Sequence, residues 1–149
     1  MRTLKKEIII HKPLNEVFEF FSKAENLNLI TPPYLNFRIL TPPPIEMKTG
    51  TIINYRIKLK GIPLKWTTEI TEWDPPNKFT DTQIKGPYKL WVHEHFFTDQ
   101  GGKTIVTDRV TYKSRGLILE PIIEKLFVSK NLKQIFDYRE KKLKEIFND

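Results

Sequence analysis

Residues 119–147 run LEPIIEKLFVSKNLKQIFDYREKKLKEIF, and the spacing of their apolar side chains decides the architecture. From Val128 onward, Val128, Leu132, Ile135, Phe136, Leu143, Ile146 and Phe147 recur at steps of three and four, which puts them on one stripe of an α-helix. Leu119, Ile122, Ile123 and Leu126 form an earlier stripe. At about 100° per residue the two stripes are rotated by more than a quarter turn. Either the helix bends near Ser129, or its first part faces something different from its second. At ~1.5 Å per residue the run is about 40 Å long. It needs a broad partner surface, and the preceding residues supply one because they read as strands.

Working back toward the N-terminus, Thr3–Ile10 reads as a strand ending in β-branched residues. Pro13 is placed as a first helical residue, and Leu14, Val17, Phe18 and Phe21 follow at helical spacing to about Ser22. A second short helical stretch, Ala24–Ile30, stops before Pro32 and Pro33. Asn36–Leu40 is a short strand, and Thr51–Lys60 alternates cleanly, with Ile53, Tyr55, Ile57 and Leu59 on one face. Leu64, Trp66, Thr68 and Ile70 form one face of the next strand, and Phe79–Ile84, Tyr88–Thr98 and Lys103–Tyr112 follow through short turns. Strands joined this way pair antiparallel as a meander. The turn lengths predict that positions 60 and 63 pair, as do 73 and 78, and 98 and 103. That register gathers Tyr55, Ile57, Trp66, Thr68, Ile70, Phe79, Asp81 and Gln83 on the inner face. The last hairpin adds Trp91, His93, His95, Phe97, Asp108, Val110 and Tyr112. A one-residue slip in any hairpin would invert its strand.

The expected fold is therefore α+β. A curved antiparallel sheet of about seven strands, two short helices and one long C-terminal helix enclose a cavity. A sheet wrapped round one helix leaves a gap where the fit is incomplete, and the change of stripe near Ser129 would roof it. With 149 residues and no linker-like tract, residues 1–149 are expected to form a single domain.

This element order, with Pro13, Leu35-Asn36-Phe37, Trp66, Phe79-Thr80-Asp81, Gly86-Pro87-Tyr88, Trp91-Val92-His93-Glu94-His95-Phe96, Asp108-Arg109-Val110-Thr111-Tyr112 and Ile135-Phe136-Asp137-Tyr138-Arg139, resembles the SRPBCC superfamily. These are the START-like, birch-pollen-allergen-like helix-grip proteins. Within it the chain is most similar to the bacterial polyketide cyclase/dehydrase and ligand-binding group. The resemblance covers nearly the whole chain and implies the helix-grip fold. It leaves function open, because members bind lipids, sterols, polyketides or hormones, and some catalyse cyclisation or hydrolysis.

Composition narrows the classes. An apolar fraction of 39%, ten Phe and three Trp supply a real core. No apolar run approaches the ~18 residues of a spanning helix, and no signal-peptide pattern opens the chain, so a cytoplasmic location is expected. Cysteine is absent, which removes disulfides and thiolate ligands. The formal charge is +7. Residues 120–149 carry seven basic and six acidic side chains, so the excess lies in the strands, including Arg56, Lys58, Lys60 and Lys65. Lysine on exposed strands discourages edge pairing, and nucleic acid is an unlikely partner on this evidence. No phosphate loop, Gly-x-Ser-x-Gly or His-Glu-x-x-His occurs, and serine is confined to Ser22, Ser114 and Ser129. No cofactor is expected.

The residues with chemistry converge on one wall. Trp91, His93 and His95 alternate and share a face. A three-residue turn at Gly86-Pro87 sets Asp81 across from His93, and a four-residue turn at 99–102 sets Asp108 on its other side. Such a carboxylate–imidazole–carboxylate row could hold His93 charged, orient a ligand's oxygen, or serve in acid–base chemistry. It also reads as an internally satisfied polar cluster. His93 and His95 with Asp108 have zinc-ligand spacing, but no third His or Cys supports them and no metal is expected. Tyr55, Trp66, Trp91 and Tyr112 are candidate pocket walls, each with an apolar body and a polar tip. The ligand-binding set is thus Tyr55, Trp66, Asp81, Trp91, His93, His95, Asp108 and Tyr112, and the expected partner is a hydrophobic or amphipathic small molecule or lipid. The alternatives are a cyclase- or dehydratase-like enzyme using His93, and an interaction module acting through the basic sheet face.

Overall fold

The structure, a computed structural model, describes residues 1–59, 61–114 and 129–148. Seven strands are joined in one antiparallel sheet: β1 (Arg2–Ile10), β2 (Arg38–Ile39), β3 (Ile52–Leu59), β4 (Ile62–Asp74), β5 (Lys78–Lys85), β6 (Tyr88–Gln100) and β7 (Lys103–Ser114). Their spatial order is β1-β7-β6-β5-β4-β3-β2, so β2 to β7 form the expected meander and β1 returns to the far edge beside β7. Helix α1 (Leu14–Phe21) follows β1, and helix α2 (Ser129–Ile146) follows the sheet. The earlier apolar stripe at Leu119, Ile122, Ile123 and Leu126, Val128, Lys60, and the expected change of direction that would roof the cavity lie outside the described residues.

Local chemistry explains where the elements stop. In α1, Val17, Phe18 and Phe21 are buried, and the Ser22 hydroxyl and amide both donate to the Glu19 carbonyl and close the helix. Ala24–Ile30 forms 3₁₀ turns rather than α-helix. The Asn26 side chain donates to the carbonyl of Phe20, the kind of side-chain bond that competes with a regular helical ladder. The strand expected over Asn36–Leu40 shrinks to Arg38–Ile39 because Asn36 takes a left-handed backbone, φ 47°. Asparagine tolerates that conformation, which breaks an extended run.

The hairpins keep the expected faces but not all the expected pairs. Gly101 and Gly102 both have positive φ, 60° and 87°, which is the two-residue hairpin turn that glycine pairs favour. Gln100 therefore pairs with Lys103, two positions tighter than expected. The β3–β4 turn keeps its expected length but sits one residue earlier, with Leu59 opposite Ile62 and Lys58 opposite Pro63, which displaces the register by two. Shifts of two preserve which side chains face inward. Between β4 and β5 the turn is three residues long, so Asp74 pairs with Lys78, and an irregularity between Ile70 and Glu72 then restores the expected register at Ile70–Asp81 and Thr68–Gln83. That irregularity brings Trp73 against Phe18 and Phe79 on the inner side.

The core divides in two. One cluster packs Phe18 and Phe21 of α1 with Phe79, Phe97, Val106, Leu143 of α2 and Phe147 just past its end. The other packs Trp66, Trp91, Val110 and Tyr112 with Leu132 and Phe136. Each such side chain, fully buried, contributes on the order of 2 kcal/mol of transfer free energy. On α2 the buried positions are Leu132, Phe136, Arg139 and Leu143, and Phe147 is buried in the turn that follows it. Ile146, expected on this stripe, instead sits at its edge in the last turn and is 38% exposed. Lys6 of β1 pairs with Asp137 and Glu140 on the outer flank of α2 and ties the sheet edge to the helix.

Candidate functional site

Between the inner sheet face and α2 lies a cavity of about 200 Å³. Tyr55, Trp66, Trp91, Ile57, Ile70 and Phe79 form its sheet wall, Leu132, Ile135 and Phe136 its helix wall, and Phe21, Leu27 and Ile30 one end. Six of the eight expected site residues line it: Tyr55, Trp66, Asp81, Trp91, His93 and His95. Tyr55 and Trp66 stack at 5.7 Å, and the Trp91 ring meets Trp66 edge-on at 5.2 Å. Asp108 is buried beside the two imidazoles, and Tyr112 is buried in the tryptophan cluster; neither lines the cavity.

The polar residues come together as expected, with one change of partner. Asp81 pairs in register with His93. The tight Gly101-Gly102 turn places Asp108 across from His95, and Val110 across from His93. The hydrogen bonds then run diagonally. His93 Nε2 lies 2.7 Å from Asp108 Oδ1, and His95 Nε2 lies 2.7 Å from Asp81 Oδ2. The two imidazoles stack at 3.7 Å, and Phe79 continues the stack at 4.1 Å from His95.

A fifth member comes from α2. Arg139 is 6% exposed and donates from Nη2 to Asp108 Oδ1 at 3.2 Å. Its guanidinium sits near the Phe21 and Phe136 rings, at 5.3 and 5.8 Å. The sequence reading missed this residue as a site member, although the signal was present. The helix stripe skips from Phe136 to Leu143, and Arg139 fills the gap at helical spacing, where a charge must find a partner.

The cluster's electrostatics follow from burial and neighbours. Burial pushes the Asp108 carboxyl up, but Arg139 and the two imidazoles outweigh it and hold it well below its ordinary value. Asp81 is likewise raised by burial and lowered overall, chiefly by its hydrogen bond with His95. Burial lowers His95, yet Asp108 and Asp81 together raise it. His93 is pulled down by burial and by His95, which its carboxylate contacts do not overcome. The two imidazoles are thus pushed apart, His95 toward its charged form and His93 toward its neutral one. Since ionised Asp108 only accepts, the hydrogen of His93 resides on Nε2 and Nδ1 keeps its lone pair. Burial raises the Tyr55 hydroxyl well above its ordinary value, with the Asp81 charge adding to the effect, so Tyr55 is a neutral donor.

Asp81, His93 and His95 each offer a metal-ligand atom, all within 4.8 Å of one another. Both Nε2 atoms are already committed to carboxylates, and the guanidinium supplies the balancing charge that a cation would bring. Among the described residues, no helix is long and apolar enough to cross a membrane.

The model of the family described as polyketide cyclase/dehydrase and lipid transport matches residues 10–138. No protein of curated function matches the sequence. Solved structures match the fold. TTHA0849 from Thermus thermophilus superposes with a TM-score of 0.73 at 21% identity, covering 98% of this chain and 97% of that one. Ginseng major latex-like protein 151 from Panax ginseng gives 0.70 at 15% identity, covering 98% and 97%. A START superfamily protein from Mycobacterium smegmatis gives 0.71 at 11% identity, covering 97% and 98%. At these identities the likeness concerns fold.

Proposed function

Because the chain belongs to the polyketide cyclase/dehydrase and lipid-transport family, within the SRPBCC superfamily, we propose that it acts as one domain that binds an apolar or amphipathic small molecule between sheet and C-terminal helix. The observation that carries this reading is the cavity of about 200 Å³, walled by aromatic and aliphatic side chains with charged groups gathered at one place. Apolar burial at ~25 cal/mol per Å² would drive binding. Asp81, His93 and His95, backed by Asp108, would fix the ligand's polar end, and Tyr55, Trp66 and Trp91 would hold its body, with Tyr112 supporting Trp91 from behind. A thermal-shift screen of apolar and amphipathic compounds tests it. A binder at 100 times its Kd adds about 2.7 kcal/mol of stability, and filling the cavity with Ile57→Trp abolishes that gain. Stability unmoved by every compound contradicts the reading.

One observation favours a second reading, an enzyme of cyclase or dehydratase type. His93 is neutral, faces the cavity, and is held at Nε2 by Asp108, which suits Nδ1 for taking a proton from a bound substrate. A pH-dependent rate on a polyketide-like substrate, lost in His93→Gln, supports it; absence of turnover on such substrates counts against it.

A further inference from the structure

The outer face of the sheet carries charge in two different ways. Toward β5, β6 and β7 the cations meet carboxylates: Lys78 pairs with Glu72 and Glu94, and Arg109 with Glu94. At the other end they meet each other. Arg38 pairs in register with Arg56, and Arg56 with Lys65, so three cations stand side by side on strands about 4.8 Å apart. Ile39, Tyr55, Ile57 and Trp66 line the cavity, and side chains alternate along a strand, which turns Arg38, Arg56 and Lys65 outward. Lys58, opposite Pro63, and Lys85, opposite Thr67, lie on the same face in the adjoining rows. None of the five forms an ion pair among the described residues.

Like charges directly opposite one another destabilise a sheet. Edge protection by lysine does not account for this row, because Arg56 is paired on both sides and β4 is an inner strand. A row of cations held without counter-charge fits a partner that brings the anions. Beside it, Leu40 and Ile52 are 44% and 41% exposed, and with Pro42, Asn54, Lys65 and Thr67 they line an open hollow on this face. None of the outward positions from Ile52 to Lys58 or from Pro63 to Glu69 is aromatic, so the face lacks the stacking platforms on which single-stranded nucleic acid is held. Cations interspersed with aliphatic side chains match a bilayer interface, where the charges meet anionic headgroups and the apolar groups enter between them.

We infer that the outer face of β2, β3 and β4 docks on an anionic lipid surface, through Arg38, Arg56, Lys58, Lys65 and Lys85 with Leu40 and Ile52 entering the headgroup layer. This face lies across the sheet from the cavity, so the inference goes beyond the ligand-binding reading and is tested apart from it.

Flotation of the full chain with phosphatidylcholine vesicles, with and without phosphatidylserine, tests it. Binding is expected to the mixed vesicles and not to phosphatidylcholine alone, and to weaken as salt rises. Arg56→Gln with Lys65→Gln is expected to bind about thirtyfold more weakly, with an unchanged or higher denaturant midpoint because a repulsion is relieved. Should that variant fail to fold, Lys58→Gln with Lys85→Gln is expected to show the same loss. Leu40→Ser is expected to bind roughly fivefold more weakly. Lys103→Gln with Lys141→Gln removes the same charge elsewhere and is expected to bind like the wild type. No binding to the mixed vesicles, an equal loss in that last variant, or binding to a DNA duplex or to poly-glutamate in preference to the vesicles overturns the inference.

Discussion

At the scale of single residues, Asp108 holds the cluster together as the acceptor that His93, Arg139 and, more distantly, His95 share. Removing one partner of a buried ion pair leaves the other uncompensated, at ~3–5 kcal/mol. Asp108→Asn is therefore expected to lower the stability by about that amount, read from denaturant midpoints at pH 7. The pH dependence has a sign of its own. The folded value of His95 is raised above 6.5, so its contribution is complete below about pH 6.5 and is lost as pH rises through the folded value. Asp81 and Asp108 are depressed below 3.8, so theirs is complete above about pH 4 and is lost as pH falls through the folded values. His93, lowered, works against stability as pH falls below 6.5. The stability difference between wild type and His95→Gln is thus expected to shrink between pH 6 and pH 9 in denaturant titrations; a difference that grows over that range contradicts the assignment. The histidines and carboxylates were legible because strand alternation puts them on one face. Arg139 was not, because a charge on a helix reads as solvated until the sheet it faces is known.

At the scale of elements, parity proved sturdier than register. The Gly101-Gly102 pair signals a two-residue turn, and reading it as four residues with Asp99 and Gln100 displaced Asp108 by one pair, from His93 to His95, without turning it outward. The irregularity after Ile70 carries no glycine or proline and left no mark in the sequence, yet it corrects the register that the Pro75-Pro76-Asn77 turn would otherwise have slipped. Two expectations follow. Gly102→Ala, forced to φ near 87°, costs ~1–2 kcal/mol in the left-handed region, measurable as a lowered denaturant midpoint. On α2, Leu143→Ala is expected to cost ~2–5 kcal/mol, whereas Ile146→Ala, at the exposed edge, stays within ~1 kcal/mol. Equal costs at the two positions would mean that the helix is rotated from the orientation described.

At the scale of the whole molecule, the amphipathic helix and the alternating strands state that a sheet is covered by a helix, and the element order resembles the helix-grip proteins closely enough to give the architecture. The cavity volume is a different matter. It is what remains where packing is incomplete, so it depends on the curvature of seven strands and the angle of one helix, and no local pattern encodes either. The central claim is that this hollow holds a small apolar molecule. Its most direct test is native mass spectrometry of the purified protein, followed by organic extraction and identification of what is released. The wild-type protein is expected to show a one-to-one adduct of an apolar or amphipathic small molecule, and Ile57→Trp the bare mass. Bare wild-type protein that also remains bare after incubation with small apolar compounds such as toluene would contradict it.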